Sequence, residues 1–180
     1  MVLNNKAQMF SVWFDDMYFY PEVEEKYKPI INKMRLPYMN VSDFMNAQLQ
    51  TITFPGYSID LATQQHGQYE IAYTSGKELD ALVDKTIDLE FKLTESYLSY
   101  WILWDQTELY LQYNKIRNCW WDPINLTFLN DAGFELRTMQ FQQITPITLS
   151  GLNLSYKSQV SSYNTLRLSL RYNYIKNIDF

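Results

Sequence analysis

Cysteine, histidine and glycine are almost missing from this chain. One cysteine, Cys119, in 180 residues rules out an internal disulfide, and a single histidine, His66, leaves no Cys/His set with zinc-site spacing. Folding in a reducing compartment is expected. Five glycines hide neither a phosphate loop nor a flexible linker. Basic excess is lacking too: 15 Lys and Arg face 20 Asp and Glu, a net charge of -5, whereas phosphate binding needs a basic patch. No apolar run is long enough to cross a bilayer, because Met9 to Phe14 stops at Asp15-Asp16 and Tyr97 to Trp104 stops at Asp105. With only Lys6 near the start, no targeting signal is expected, and the chain is read as soluble, or assembled from soluble subunits, with no membrane insertion.

Aromatic side chains are abundant. Fifteen Tyr, ten Phe and five Trp exceed what a core of this size needs and imply an interface as well. The length fits one domain, 1–180, with a single core. Strand-like alternation is clearest at Ile87 to Leu93 and recurs at Leu152 to Lys157 and Leu166 to Tyr174. Further strands are predicted at Met9–Phe14, Gln50–Phe54, Gln68–Thr74, Ile124–Leu129 and Phe134–Phe141, with a hairpin turn at Asn130-Asp131-Ala132-Gly133 and a bulge between Leu136 and Met139. Pro146 and Gly151 bracket another turn. Val41 to Leu49 predicts a short helix, and one long helix follows Thr94 or Ser96 as cap, with Tyr97, Tyr100, Trp101, Trp104 and Glu108 at helical spacing and Leu98, Ile102 and Leu109 widening the apolar stripe that packs across a sheet. The segment Asp15 to Lys28, bounded by Pro21 and Pro29, reads as an aromatic and acidic insertion around residues 15–29 with at most one helical turn. Tyr57 to Gly67 reads as a long polar loop.

Nothing local marks catalysis, metal binding or a cofactor. His66 lies in that polar loop without a second ligand, and no nucleophile elbow surrounds any serine. Asp15-Asp16 and Glu22, Glu24 and Glu25 fit a solvated surface better than paired catalytic acids. The Asn-x-Ser/Thr triplets at Asn40, Asn125 and Asn153 are set aside, since two fall inside predicted strands. Trp120 and Trp121 are candidate exposed aromatic contacts, because adjacent rings cannot easily both be buried.

The order of Leu126-Thr-Phe-Leu-Asn-Asp-Ala-Gly, Arg137, Phe141, Pro146-Ile-Thr-Leu-Ser-Gly-Leu-Asn-Leu-Ser-Tyr and Leu166-Arg-Leu-Ser-Leu-Arg-Tyr-Asn-Tyr resembles the C-terminal half of contractile-phage tail tube proteins. About fifty residues match closely, and Asn32 to Tyr174 match loosely by element order. The resemblance implies a mainly β chain with one main helix: an antiparallel sandwich or barrel whose inner sheet joins its neighbours in a ring. It is the tube-type fold shared with baseplate tube initiators and the Hcp ring of type VI secretion. It further implies a structural virion protein that assembles in the host cytoplasm. The partners would be itself, in hexameric stacked rings, neighbouring tail proteins, and DNA passing an acidic lumen without binding. Tyr57, Asp60, Gln64 and His66 would then belong to a loop between stacked rings. The insertion and the tyrosine richness depart from the pattern. Two other readings remain: a tube component of a contractile injection or type VI-like system, and an aromatic-rich carbohydrate-binding sandwich of a tail. An enzyme is the least expected.

Overall fold

The computed structural model describes residues 10–178 except 17, 36, 54, 60, 75–83, 116–119, 131 and 153–164. Asp60, Cys119, Asn153 and most of the strand expected at Leu152 to Lys157 therefore lie outside the described residues. Ten strands and three α-helices are described, and all strand pairs are antiparallel.

The first sheet has the order β1-β6-β7-β10, made of Phe10–Phe14, Ile124–Leu129, Glu135–Gln142 and Tyr174–Ile178. The second has the order β2-β5-β9-β8, made of Leu49–Thr53, Thr86–Lys92, Thr165–Arg171 and Thr145–Leu149. Alternation explains why these sheets share one core. Along β5, Ile87, Leu89 and Phe91 are buried while the residues between them are half exposed, and on β9 Leu166, Leu168 and Leu170 do the same. Phe14 of β1 stacks on Phe91 of β5 with ring centroids 6.2 Å apart, and Phe141 of β7 meets Tyr172 just beyond β9 at 5.1 Å, so aromatic pairs connect the two sheets. The result is a sandwich, and no closed barrel forms within the described chain.

Several expectations are corrected. Pro21–Lys33 forms a 13-residue helix, α1, with Val23, Tyr27 and Ile31 in the core. Pro21 starts it, where its missing N–H costs nothing, and Pro29 is tolerated inside because burial of that i, i+4, i+8 stripe outweighs one lost hydrogen bond. A second helix, α2, spans Val41–Gln48 and is capped by Asn40, whose Oδ1 accepts from the Asp43 N–H at 2.6 Å. The run Leu166 to Tyr174 is not one strand, since β9 ends at Arg171 and β10 starts at Tyr174 in the other sheet. Pro146 is inside β8, not in a turn; β8 is an edge strand, and the register shifts between Pro146 and Thr148. The bulge falls where β6 changes register between Phe128 and Leu129, leaving Leu136 of β7 unmatched.

The helix Leu98–Asn114, α3, splits its expected stripe, burying Leu98 and Ile102 and turning the tryptophans outward. Its buried residues are Leu98, Ser99, Ile102, Leu103, Gln106 and Tyr110, while Trp101 and Trp104 are 47% and 49% exposed. Neither Thr94 nor Ser96 caps it; Ser96 and Tyr97 both take left-handed φ, 62° and 56°, in a kink that leads from a short 3-10 turn into the helix. A side-chain bond from the Ser99 hydroxyl to the Lys92 carbonyl, 3.1 Å, ties this start to the end of β5.

The outer edge of β1 is closed locally by one side chain. Asn46 of α2 accepts from the Phe14 N–H at 2.7 Å and donates to the Phe14 carbonyl at 3.1 Å, standing in for a paired strand. Asn46→Leu is expected to leave both backbone groups without a protein partner and to lower stability by about 2 kcal/mol, or roughly 4–8 °C in Tm. Thermal unfolding followed by circular dichroism checks it, and an unchanged Tm would mean that solvent replaces the amide.

Candidate functional site

The segment Leu61 to Thr74 projects from the sandwich as a hairpin. β3, Leu61–His66, pairs with β4, Tyr69–Thr74, in unbroken register from Leu61↔Thr74 to His66↔Tyr69. Its two-residue turn needs a positive φ at the first central position, and Gly67 supplies one of 64°. The polar loop expected at Tyr57 to Gly67 is thus mostly a strand. Residues opposite each other in the ladder share a face, so Ala62, Gln64, Ile71, Tyr69 and Tyr73 lie on one side. Every side chain of the hairpin that is described is exposed, with Tyr69 at 77% and Leu61 at 59%. A two-stranded hairpin without a covered face is marginal in water. Among the contact residues expected from the resemblance, Gln64 and His66 fall on β3, Tyr57 precedes it and is exposed, and Asp60 lies outside the described residues.

A second exposed surface lies on α3. Tyr100 packs edge-on against Trp101, centroids 5.3 Å apart, and lies 5.8 Å from Trp104 in a tilted pair. Trp101 and Trp104 are half exposed, while Tyr100 is partly buried and also packs against the core. Trp combines a large apolar body with one polar N–H and is favoured where two surfaces meet. Sequence periodicity missed this because α3 is apolar on both faces, and only tertiary packing chooses between them.

The Trp120-Trp121 pair divides as adjacent rings must. Trp121 is 3% exposed, bridged to Ile144 by its N–H at 2.9 Å and wedged edge-on between Tyr18 and Tyr110, so it is not an exposed contact. Trp120 is 45% exposed.

The outer face of the second sheet carries its own ion network. Asp88 of β5 accepts hydrogen bonds from Arg167 and Ser169 of β9, which hold its carboxyl below the usual carboxylate range, with Arg167 the larger influence. Arg167 and Ser169 are thereby satisfied within the chain, while Arg171 stays exposed. The other face of the first sheet is amide and hydroxyl and is itself buried at Asn125, Thr127 and Thr138: Gln140 donates to Asn125 at 3.0 Å, and the Thr127 and Thr138 hydroxyls lie 2.8 Å apart.

No family model and no curated protein matches the sequence. Solved structures do match along nearly the full chain. A chain of the anti-feeding prophage baseplate is 13% identical with a TM-score of 0.54, covering 99% of this chain and 97% of that one. A chain of the anti-feeding prophage tube-terminating cap is 11% identical with a TM-score of 0.52, covering 99% and 93%. A chain of the sheath/tube terminator of the PVC extracellular contractile injection system, in its extended state, is 13% identical with a TM-score of 0.50, covering 99% of each. The chain has a tube-type fold. At such identities the likeness concerns the backbone, so side-chain roles within the tube-type fold rest on the geometry above. In that frame the hairpin arm and the α3 aromatics are additions to two sheets already complete in their core. Among the described residues, no helix of this tube-type fold is long and apolar enough to cross a membrane.

Proposed function

We propose that the chain is a structural subunit of a tail-like tube assembly and works by joining copies of itself and neighbouring tail proteins. One observation carries this reading: the β3–β4 arm exposes Tyr69, Ile71 and Tyr73 on a hairpin that its own protomer does not cover. An arm of this kind gains its stability from a neighbouring copy. Among the described residues β2 and β10 are edge strands, which would supply further pairing surfaces, since an edge strand left open invites another chain. In the full reading, six subunits close a ring, rings stack, and the lumen passes DNA without holding it, in keeping with the net charge of -5. The ring would assemble in the host cytoplasm and end in the virion tail, with no catalysis by this chain.

A second reading gains weight from the structural matches, which come from an anti-feeding prophage and an extracellular contractile injection system. There the same subunit would belong to an injection particle, at its baseplate, cap or terminator end.

Negative-stain electron microscopy and size-exclusion chromatography test the shared core of both readings. Wild-type protein is expected to give rings or tubes, and the variant Tyr69→Lys/Ile71→Lys/Tyr73→Lys to elute as a monomer with an unchanged circular dichroism spectrum. Assembly that survives the triple substitution removes the arm from the interface; wild-type monomers at high concentration, alone and with a cognate tail protein, sink the reading.

A further inference from the structure

A cleft of about 520 Å³ opens between the start of α1 and the segment around Trp120, well away from the β3–β4 arm. Its size lies in the range of about 300–1,000 Å³ that accepts small ligands and anchor side chains. Tyr18, Phe19 and Tyr20 form part of its wall, and Trp120 and Trp121 form another part. Four acidic residues line it, Asp16, Glu24, Glu25 and Asp122, and among the described residues no Lys or Arg does. Lys28 acts on Glu24 only from the continuation of the groove along α1.

The second observation is independent of charge. Tyr18 and Trp121 line this cleft at 3% exposure each, and the Tyr18 hydroxyl and Trp121 Nε1–H are buried without a hydrogen-bond partner. Folded chains seldom leave such groups unmatched, because each costs about 1–3 kcal/mol. The indole N–H can only donate, so its missing partner is an acceptor. Among the described residues the carboxylates face no lining cation, and the Trp121 N–H meets no acceptor. An extended peptide with a basic residue offers both at once: a guanidinium or ammonium for the acids and the aromatic faces, and a neighbouring backbone carbonyl for the donors.

We propose that this cleft is a docking socket for an Arg- or Lys-bearing segment of a partner protein. Other occupants fit less well. Nucleic acid meets four like charges. Among the described residues no three His, Cys, Asp or Glu side chains are grouped to hold a metal ion. A sugar stacks on tryptophan but leaves the carboxylates uncompensated. Burial is the first influence on two of these carboxyls. Partial burial is the main cause that raises the pKa of Asp122, whose residue as a whole is still exposed, and the charge of Asp15 adds to it. Burial likewise raises Glu24, although the Val41 N–H bonds to its carboxylate at 3.0 Å and opposes the shift.

The full chain labelled with 5-fluorotryptophan gives one ¹⁹F resonance for each of its five tryptophans, assigned by single Trp→Phe variants. Titration with the peptide Ac-Gly-Arg-Gly-NH₂ is expected to move the Trp120 and Trp121 signals saturably, and its citrulline counterpart to bind about tenfold more weakly. Asp122→Asn combined with Glu25→Gln, both on the rim, is expected to cost a similar factor while leaving the other three signals in place. Three results would overturn the socket: no movement of either signal up to about 10 mM peptide, an equal response to Ac-Gly-Glu-Gly-NH₂, or saturation by a glucose oligomer instead. None of these readouts depends on whether rings form, so the socket and the assembly reading fail separately.

Discussion

Truncating Phe91 to alanine is expected to lower stability by about 3–5 kcal/mol and the Tm by roughly 10 °C or more. Phe91 is fully buried near the end of β5, and its ring stacks on Phe14 across the space between the sheets. Phe14 in turn touches Tyr18 at 4.4 Å and Phe19 at 5.9 Å, so the hole would open where both sheets and the chain leading into α1 converge. Neighbours held by strand ladders on two sides have little freedom to fill it, which puts the cost at the upper end of large-to-small core changes. Trp104→Ala is the informative control. That ring is larger than the phenyl of Phe91, yet it is half exposed on α3, and its removal is expected to change stability by less than about 0.5 kcal/mol. Urea unfolding of the two variants decides the matter. Equal losses would mean that the aromatic face of α3 belongs to the core after all.

That contrast also shows where sequence alone stops. Local period revealed β5, the β6–β7 hairpin with its Asn130 turn, and α2, because in each case one repeat separates a buried face from a wet one. The turn is held by Asn130 Oδ1, which accepts from the Ala132 and Phe134 N–H groups at 2.9 and 2.8 Å, so its chemistry is written in one residue. On α3 the same logic drew the stripe too wide, taking in Leu98 and Ile102, which are buried, together with Trp101 and Trp104, which are half exposed. Burial went instead to the side that meets β8 and α1.

Proline misled in α1. Pro21 and Pro29 read as boundaries, although Val23, Tyr27 and Ile31 already carried the helical period through them. Lys26 and the Tyr27 hydroxyl both reach Asp105 of α3, at 2.7 Å for the hydroxyl, and such cross-helix anchors have no signature in a local window. Burial, with Asp105 beside it, pushes the Tyr27 hydroxyl well above its usual pKa, so it stays a donor across the accessible range. The division of Leu166 to Tyr174 between two sheets was hidden for a related reason: alternation continues through Tyr172 and Asn173 while the strand partners change from β5 and β8 to β7. At the arm, Gly67 was the available signal, since a glycine between two strand-length runs marks a two-residue turn. For the cleft no signal existed, because its walls come from residues about a hundred positions apart.

Gln106→Leu is expected to cost about 2–4 kcal/mol, a fall of roughly 5–15 °C in Tm, although leucine nearly conserves the volume. The reason is polar. Gln106 is 1% exposed; its Oε1 accepts from the Tyr20 N–H at 3.0 Å, and its Nε2 donates to the Tyr18 carbonyl at 3.4 Å. Leucine would remove both of these bonds beneath the aromatic wall of the cleft. The Tyr20 carbonyl accepts from the N–H groups of Val23 and Glu24, at 2.9 and 3.1 Å, so a loosened segment at 18–20 also frays the first turn of α1 and displaces Glu24 and Glu25. Gln106→Glu separates hydrogen bonding from shape. Ionised, it can accept from Tyr20 but cannot donate to Tyr18, and it adds a fifth carboxylate to the cleft. Burial raises the pKa of such a group above its unfolded value, so the folded form holds more protons and the lost stability returns as pH falls through the folded pKa. The difference in Tm between Gln106→Glu and wild type should therefore narrow from pH 7 towards pH 5, while that of Gln106→Leu stays constant. A leucine variant as stable as wild type would show that the Tyr18–Tyr20 segment is held by ring packing alone.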